Sequence, residues 1–162
     1  MSDAQALRRD VIATARRLTA TGLTDGSSGN VSARHGDGFL VTPTGMAYEA
    51  LAPQDVVAVA MDGAVAPGSR RPSSEWRFHR DVYLARPEVG AIVHAHSPHA
   101  TALACARRPI PAFHYMVALA GGDSIPCAPY ATFGTEALAR HVVAALANRD
   151  AALLSNHGQI AV

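Results

Sequence analysis

Apolar positions along the chain recur at two different periods. Leu7, Val11, Ala15 and Leu18 stand three or four apart, which predicts a helix over residues 3–20 that Gly22 stops. Residues 24–30, rich in Gly, Ser and Asp, read as a loop. Residues 31–33 and 39–42 are short apolar strands, and Gly36-Asp37-Gly38 between them predicts a hairpin. Residues 56–61 form another strand that turns at Asp62-Gly63. A second helix opens at Ser73-Ser74-Glu75-Trp76, with serine at the cap and Glu75 in the first turn, where it suits the helix dipole; Pro87 ends it. Residues 91–96 are a strand, and Ser97-Pro98 starts a helix with proline in a tolerated first-turn position. Thr135 caps a helix reaching about Asn148, with Leu138, Val142 and Leu146 on one face. Residues 151–155 are a strand leading into Asn156-His157-Gly158, and the chain ends in the apolar run Gln159-Ile160-Ala161-Val162. Strands and helices alternate, so the class is α/β, and the hairpin makes at least part of the sheet antiparallel. There are no internal repeats, and the Gly/Pro/Arg-rich segment 63–72 is loop-sized. The chain reads as a single domain over residues 1–162.

Composition narrows the function classes. Of 162 residues, 49% are hydrophobic and 17% charged, which excludes intrinsic disorder. Fourteen basic against 13 acidic residues, with no long basic stripe, argue against a nucleic-acid partner. The N-terminal MSDAQALRRD lacks the apolar centre of a signal peptide, and no run of about 18 apolar residues could span a membrane. Cys105 and Cys127 match no zinc-binding CxxC pattern and suit a reduced, cytoplasmic protein.

The chain has eight histidines. In the strand Ile92-Val93-His94-Ala95-His96, residues two apart share a face, so His94 and His96 project together. Two adjacent imidazoles can hold one divalent metal, and catalytic zinc sites commonly take three protein ligands. His157 stands out as the third because it follows a strand and precedes Gly158; His79, His99, His114 and His141 are alternatives. His141, within a helix, reads as structural, His99 as a neighbour supporting the pair, and His35, at a hairpin tip, as solvated. Ser73-Ser74 ahead of a helix, Ser27-Ser28-Gly29-Asn30 and Thr42-Pro43-Thr44-Gly45 all offer neutral donors, which together suit one anionic ligand.

In chain order, Ser28-Gly29-Asn30-Val31-Ser32, Thr42-Pro43-Thr44-Gly45, Pro72-Ser73-Ser74-Glu75-Trp76-Arg77-Phe78-His79, His94-Ala95-His96, His114-Tyr115-Met116, the run from Ala128 to Gly134 and Asn156-His157-Gly158 form a specific ordered set. In these motifs the sequence resembles the class II aldolase/adducin family, and within it the branch of L-fuculose-1-phosphate aldolases. The resemblance implies a three-layer αβα fold with a central, mainly antiparallel sheet. It implies His94, His96 and His157 as ligands to one zinc ion per subunit, with Glu75 as a resting fourth ligand that becomes the catalytic base. Ser28, Gly29, Asn30, Thr44, Gly45, Ser73 and Ser74 would hold the phosphate of dihydroxyacetone phosphate. Tyr115 would reach an active site at a subunit boundary of a homotetramer and protonate the aldehyde oxygen, with lactaldehyde as the expected aldehyde.

The residues agree with that chemistry. All 14 basic residues are arginine, so the chain has no lysine for a Schiff base. A divalent metal can instead stabilise negative charge beside a carbonyl, and Glu75 is a carboxylate suited to act as base. On the same scaffold, sugar-phosphate 4-epimerases carry aspartate at the Glu75 position, methylthioribulose-1-phosphate dehydratases or aldolases share the zinc site, aldolases acting on 5-deoxy-pentulose phosphates carry nearly the same motifs, and adducin-like modules lack the ligands. Glu75 favours an aldolase, and the intact histidines disfavour an interaction module. Family members continue for several tens of residues beyond the His157-Gly158 segment, so the resemblance implies that this chain lacks its C-terminal segment.

Overall fold

The computed structural model describes residues 3–162. The apolar stripe near the N-terminus becomes helix α1 (Asp3–Ala20), whose Val11, Ile12, Ala15 and Leu18 are buried. The predicted hairpin is β1 (Asn30–His35) and β2 (Gly38–Val41), followed by β3 (Val57–Ala60), helix α2 (Trp76–Ala85), β4 (Ala91–Ala95) and helix α3 (Pro98–Cys105). A two-residue strand β5 (Cys127–Ala128), helix α4 (Glu136–Ala145), β6 (Ala151–Leu154) and β7 (Gly158–Ala161) complete the chain.

The seven strands form one sheet in the order β3-β2-β1-β4-β7-β6-β5. Every pairing is antiparallel except β5 with β6, which is parallel. Alternation along the strands feeds two cores. On one face Phe39, Val57, Val59, Ile92, Leu154 and Ile160 pack beneath Phe78 and Val82 of α2 and Leu138 and Val142 of α4. On the other, Val31, Ala33, Leu40 and Ala95 pack beneath α1. α3 lies against β6 and β7, where Leu153 is buried on the pleat opposite Ala152 and Leu154. The arrangement is the expected three layers around a mainly antiparallel sheet.

Two local expectations are corrected. Glu75 is not in the first turn of α2: it occupies the cap position itself, its side chain caps no backbone N–H, and Ser73 Oγ accepts the Glu75 N–H at 3.3 Å. The carboxylate is thereby released from helix duty and turned toward the histidines. α4 ends at Ala145, short of Asn148, and Leu146 closes the helix as a buried cap residue. Three short 3-10 helices (Tyr48–Ala50, Pro53–Asp55 and Tyr115–Ala120) carry no periodic signal. The first is held from a distance, because the Arg16 guanidinium on α1 donates to the carbonyls of Tyr48, Glu49 and Leu51 at 3.0–3.1 Å.

Candidate metal centre and active site

His94 and His96 leave the end of β4 on the same side, and His157 comes from the turn between β6 and β7. Antiparallel pairing of β4 with β7 sets Ala95 opposite Gln159, which brings that turn beside the pair. The approach needs glycine: a Cβ on Gly158 would lie 2.4 Å from the Ala95 carbonyl oxygen and 2.6 Å from His96 Cδ2. One nitrogen from each of the three imidazoles falls within 4.8 Å of the others, and the rings meet edge-on at 71–73°. His94 Nε2 lies 2.8 Å from His96 Nε2 and 3.1 Å from Glu75 Oε2, while Glu75 Oε1 lies 3.2 Å from His157 Nε2. His94 Nδ1–H donates to the Gln159 carbonyl at 2.8 Å, which turns the Nε2 lone pair inward, as in histidine metal ligands.

This donor set fits a divalent metal. Glu75 Oε1 is buried without a hydrogen bond, an arrangement that costs free energy unless a cation satisfies it. Burial holds the His96 imidazole at about 4, and its histidine neighbours push the same way. His157 is lowered for the same reasons, burial first. Both are therefore neutral at pH 7, with lone pairs free to ligate. Burial acts to raise Glu75, but the contact with His94, supported by His157 and Asn30, overrides it and keeps Glu75 a carboxylate. The three imidazoles supply the three protein ligands common in catalytic divalent-metal sites, with the Glu75 carboxylate beside them.

Behind Glu75 runs a buried polar row absent from the expectations drawn from sequence. Asn30 Nδ2 donates to Glu75 Oε2 at 3.0 Å, and Asn30 Oδ1 lies 2.5 Å from His79 Nε2. His79 Nδ1 lies 2.7 Å from Ser32 Oγ, which lies 2.8 Å from the Tyr83 hydroxyl. His79 is fully buried and belongs to this row, which removes it as a candidate third metal ligand. The signal lay in the spacing Glu75-x3-His79-x3-Tyr83 beside Asn30-x-Ser32. Tyr48, equally buried, donates to the Gly29 carbonyl at 2.7 Å and so fixes the loop that carries Asn30.

All seven residues assigned to phosphate binding line one cleft of about 330 Å³, together with Glu75, His96 and His157. The Thr42–Gly45 and Arg71–Ser74 loops are joined across its floor, Ser73 N–H donating to the Thr42 carbonyl at 3.0 Å and Thr44 N–H to the Arg71 carbonyl at 3.1 Å. Gly29 is required where it stands, since its φ is +88° and a Cβ there would lie 2.5 Å from the His94 carbonyl oxygen. No arginine lines this cleft among the described residues, so away from the Glu75 carboxylate an anion in it meets neutral donors and the N-terminal end of α2. Tyr115 is not brought to the cleft of its own chain. It sits on the 3-10 helix Tyr115–Ala120, is 80% exposed and lines a separate hollow with Phe113 and His114. His99 is exposed on α3 and lines no part of the cleft, His35 is half-buried at the end of β1, and His141 meets the Pro129 carbonyl at 3.1 Å through Nδ1.

Residues 9–162 match the family described as the class II aldolase and adducin N-terminal domain. The chain belongs to the class II aldolase/adducin family. It is 54% identical over 156 residues to a 5-methylthioribulose-1-phosphate/5-deoxyribulose-1-phosphate aldolase of Rhodospirillum rubrum, covering 96% of this chain and 70% of that one. It is 53% identical over 155 residues to an L-fuculose phosphate aldolase of Escherichia coli O6:H1, covering 96% and 72%. A solved L-fuculose 1-phosphate aldolase superposes with a TM-score of 0.93 at 39% identity, over 99% of this chain and 76% of the other. These relatives are aldolases, so within the class II aldolase/adducin family this chain stands among the lyases. Among the described residues, no helix is long and apolar enough to cross a membrane.

Proposed function

We propose that the protein is a zinc-dependent class II aldolase that interconverts a ketose 1-phosphate of the L-fuculose type with dihydroxyacetone phosphate and an aldehyde such as lactaldehyde. The observation that carries this reading is a buried carboxylate, Glu75, shared between a three-histidine cluster and a cleft lined by neutral anion donors. Held by His94, His96 and His157, with Glu75 as a fourth ligand only at rest, zinc would supply Lewis acidity toward negative charge that develops beside a carbonyl. Asn30, Thr44, Gly45, Ser73 and Ser74, with the Ser28-Gly29 backbone, hold the phosphate and so fix the reacting carbons near Glu75. In the direction of synthesis, Glu75 takes the proton from the carbon next to the ketone. Tyr115 of a neighbouring copy donates a proton to the aldehyde oxygen as the carbon–carbon bond forms. Cleavage runs the same transfers in reverse.

The role given to Tyr115 requires assembly, and a homotetramer with the site at a subunit boundary is the proposed form. The exposed apolar side chains Phe113, Leu119, Tyr130 and Phe133, between 55% and 73% accessible, support it. Localisation in the cytoplasm is proposed with it, from the two free thiols. A second substrate reading, a 5-deoxy- or 5-methylthio-pentulose 1-phosphate, is favoured by the 54% identity to an aldolase named for those substrates. The deciding experiment offers zinc-loaded protein a panel of these ketose 1-phosphates and measures dihydroxyacetone phosphate released. Glu75→Ala is expected to retain zinc and lose cleavage, and His94→Ala to lose zinc. Cleavage at the wild-type rate by Glu75→Ala overturns the base assignment, and epimerised or dehydrated product without dihydroxyacetone phosphate overturns the aldolase reading.

A further inference from the structure

The polar row behind Glu75 has a proton direction. Asn30 and Ser32, two apart on β1, face α2; Glu75, His79 and Tyr83, four apart, share one side of that helix and its cap. The five side chains interdigitate, none more than 6% exposed. A carboxylate oxygen only accepts, so Asn30 presents its NH2 group to Glu75 and is left with Oδ1 toward His79. Oδ1 also only accepts, so His79 carries its proton on Nε2. The bare Nδ1 accepts a hydrogen bond from the Ser32 hydroxyl, and Ser32 Oγ accepts from the Tyr83 hydroxyl.

We infer that His79, as the Nε2–H tautomer with Ser32 and Tyr83 donating in turn toward its Nδ1, is a positioning residue that fixes the polarity of the Asn30 carboxamide, with its NH2 toward Glu75. With the opposite tautomer the amide turns over, and two oxygens meet where Asn30 Nδ2 and Glu75 Oε2 now lie 3.0 Å apart. Its effect on turnover rests on the aldolase reading; the proton arrangement does not.

The test has two arms. Long-range 1H–15N correlation NMR on the uniformly 15N-labelled protein, with His79 assigned by its loss in His79→Gln, reads the tautomer without substrate. The expected result is a single Nε2–H form at pH 7; an Nδ1–H form, or an average of the two, overturns the proposal. In the second arm, zinc-loaded His79→Leu is expected to lose about 10- to 100-fold in kcat/KM. The same change in an Asn30→Ala background is expected to lose less than about twofold, since a purely positioning residue acts only through its target. His79→Gln, which retains an N–H donor, is expected to recover most of the loss. Equal losses in both backgrounds overturn the proposal even where the tautomer is as expected. If wild-type protein cleaves no sugar phosphate, the aldolase reading falls and the NMR result still decides this one. The same holds if His79→Leu does not fold.

Discussion

Acidification should expose the cost of burying His79. Its imidazole is fully enclosed and held at about 3 instead of 6.5, by burial first and by the neighbouring His94 second. A histidine with a depressed folded-state value is folded in its neutral form, so its contribution is complete above pH 6.5 and is lost as pH falls from 6.5 toward 3. Each pH unit in that window costs about 1.4 kcal/mol, which amounts to about 2 kcal/mol between pH 7 and pH 5. For a domain of this size, that lowers Tm by about 4–8 °C. The assay is thermal unfolding of metal-free protein at pH 7 and pH 5, at one ionic strength, for wild type and His79→Gln. His96 and His157 are also depressed and destabilise both proteins on acidification, so the comparison isolates His79. Wild type should drop by about 4–8 °C more than the variant over this interval. An equal drop in the two proteins refutes the reasoning, because it places the titrating group elsewhere.

Gly158→Ala should weaken zinc binding by about 10- to 100-fold in a chelator competition, because the added methyl displaces either the Ala95 carbonyl or the His96 ring. Tyr115→Phe should lower kcat while leaving KM and Tm nearly unchanged, as expected for an exposed side chain that acts only in proton transfer. Thr135→Ala should cost about 1 kcal/mol in urea unfolding, since Thr135 Oγ1 accepts the Leu138 N–H at 3.2 Å as the cap of α4. Zinc affinity should be unaffected by it.

The parts of this protein legible in its sequence are those encoded by local period. α1, the hairpin, β4 with its His94-x-His96 pair, and the cap of α4 follow from spacing within a few residues. The distant partners of these segments are not encoded that way. β5 is two residues long and exists because Cys127 and Ala128 pair with Leu153 and Leu154. The convergence of His157 on β4 depends on β7 pairing, and that depends on the space left by Gly158. Tyr48 reads as an ordinary loop aromatic until the fold brings its hydroxyl to the Gly29 carbonyl. His79 reads in sequence as a ligand candidate because histidine chemistry is visible there and burial among Ser32, Asn30 and Tyr83 is not.

The interleaving of β1 with α2 bears on how the chain finds its fold. Ser32 pairs with Ile92 and Asn30 with His94 across the centre of the sheet. A slip of β1 by one residue would turn Asn30 and Ser32 to the opposite face and put Val31 and Ala33 against His79 and Glu75. An apolar strand pairing alone discriminates weakly between such alignments. Here the misaligned chain would leave the His79 imidazole and the Tyr83 phenol in the interior without hydrogen-bond partners, at about 1–3 kcal/mol apiece, and would take the Asn30 hydrogen bond from Glu75. The same side chains that surround and position the Glu75 carboxylate thus select against mispaired folding intermediates, so substitutions in this row are expected to lower folding yield.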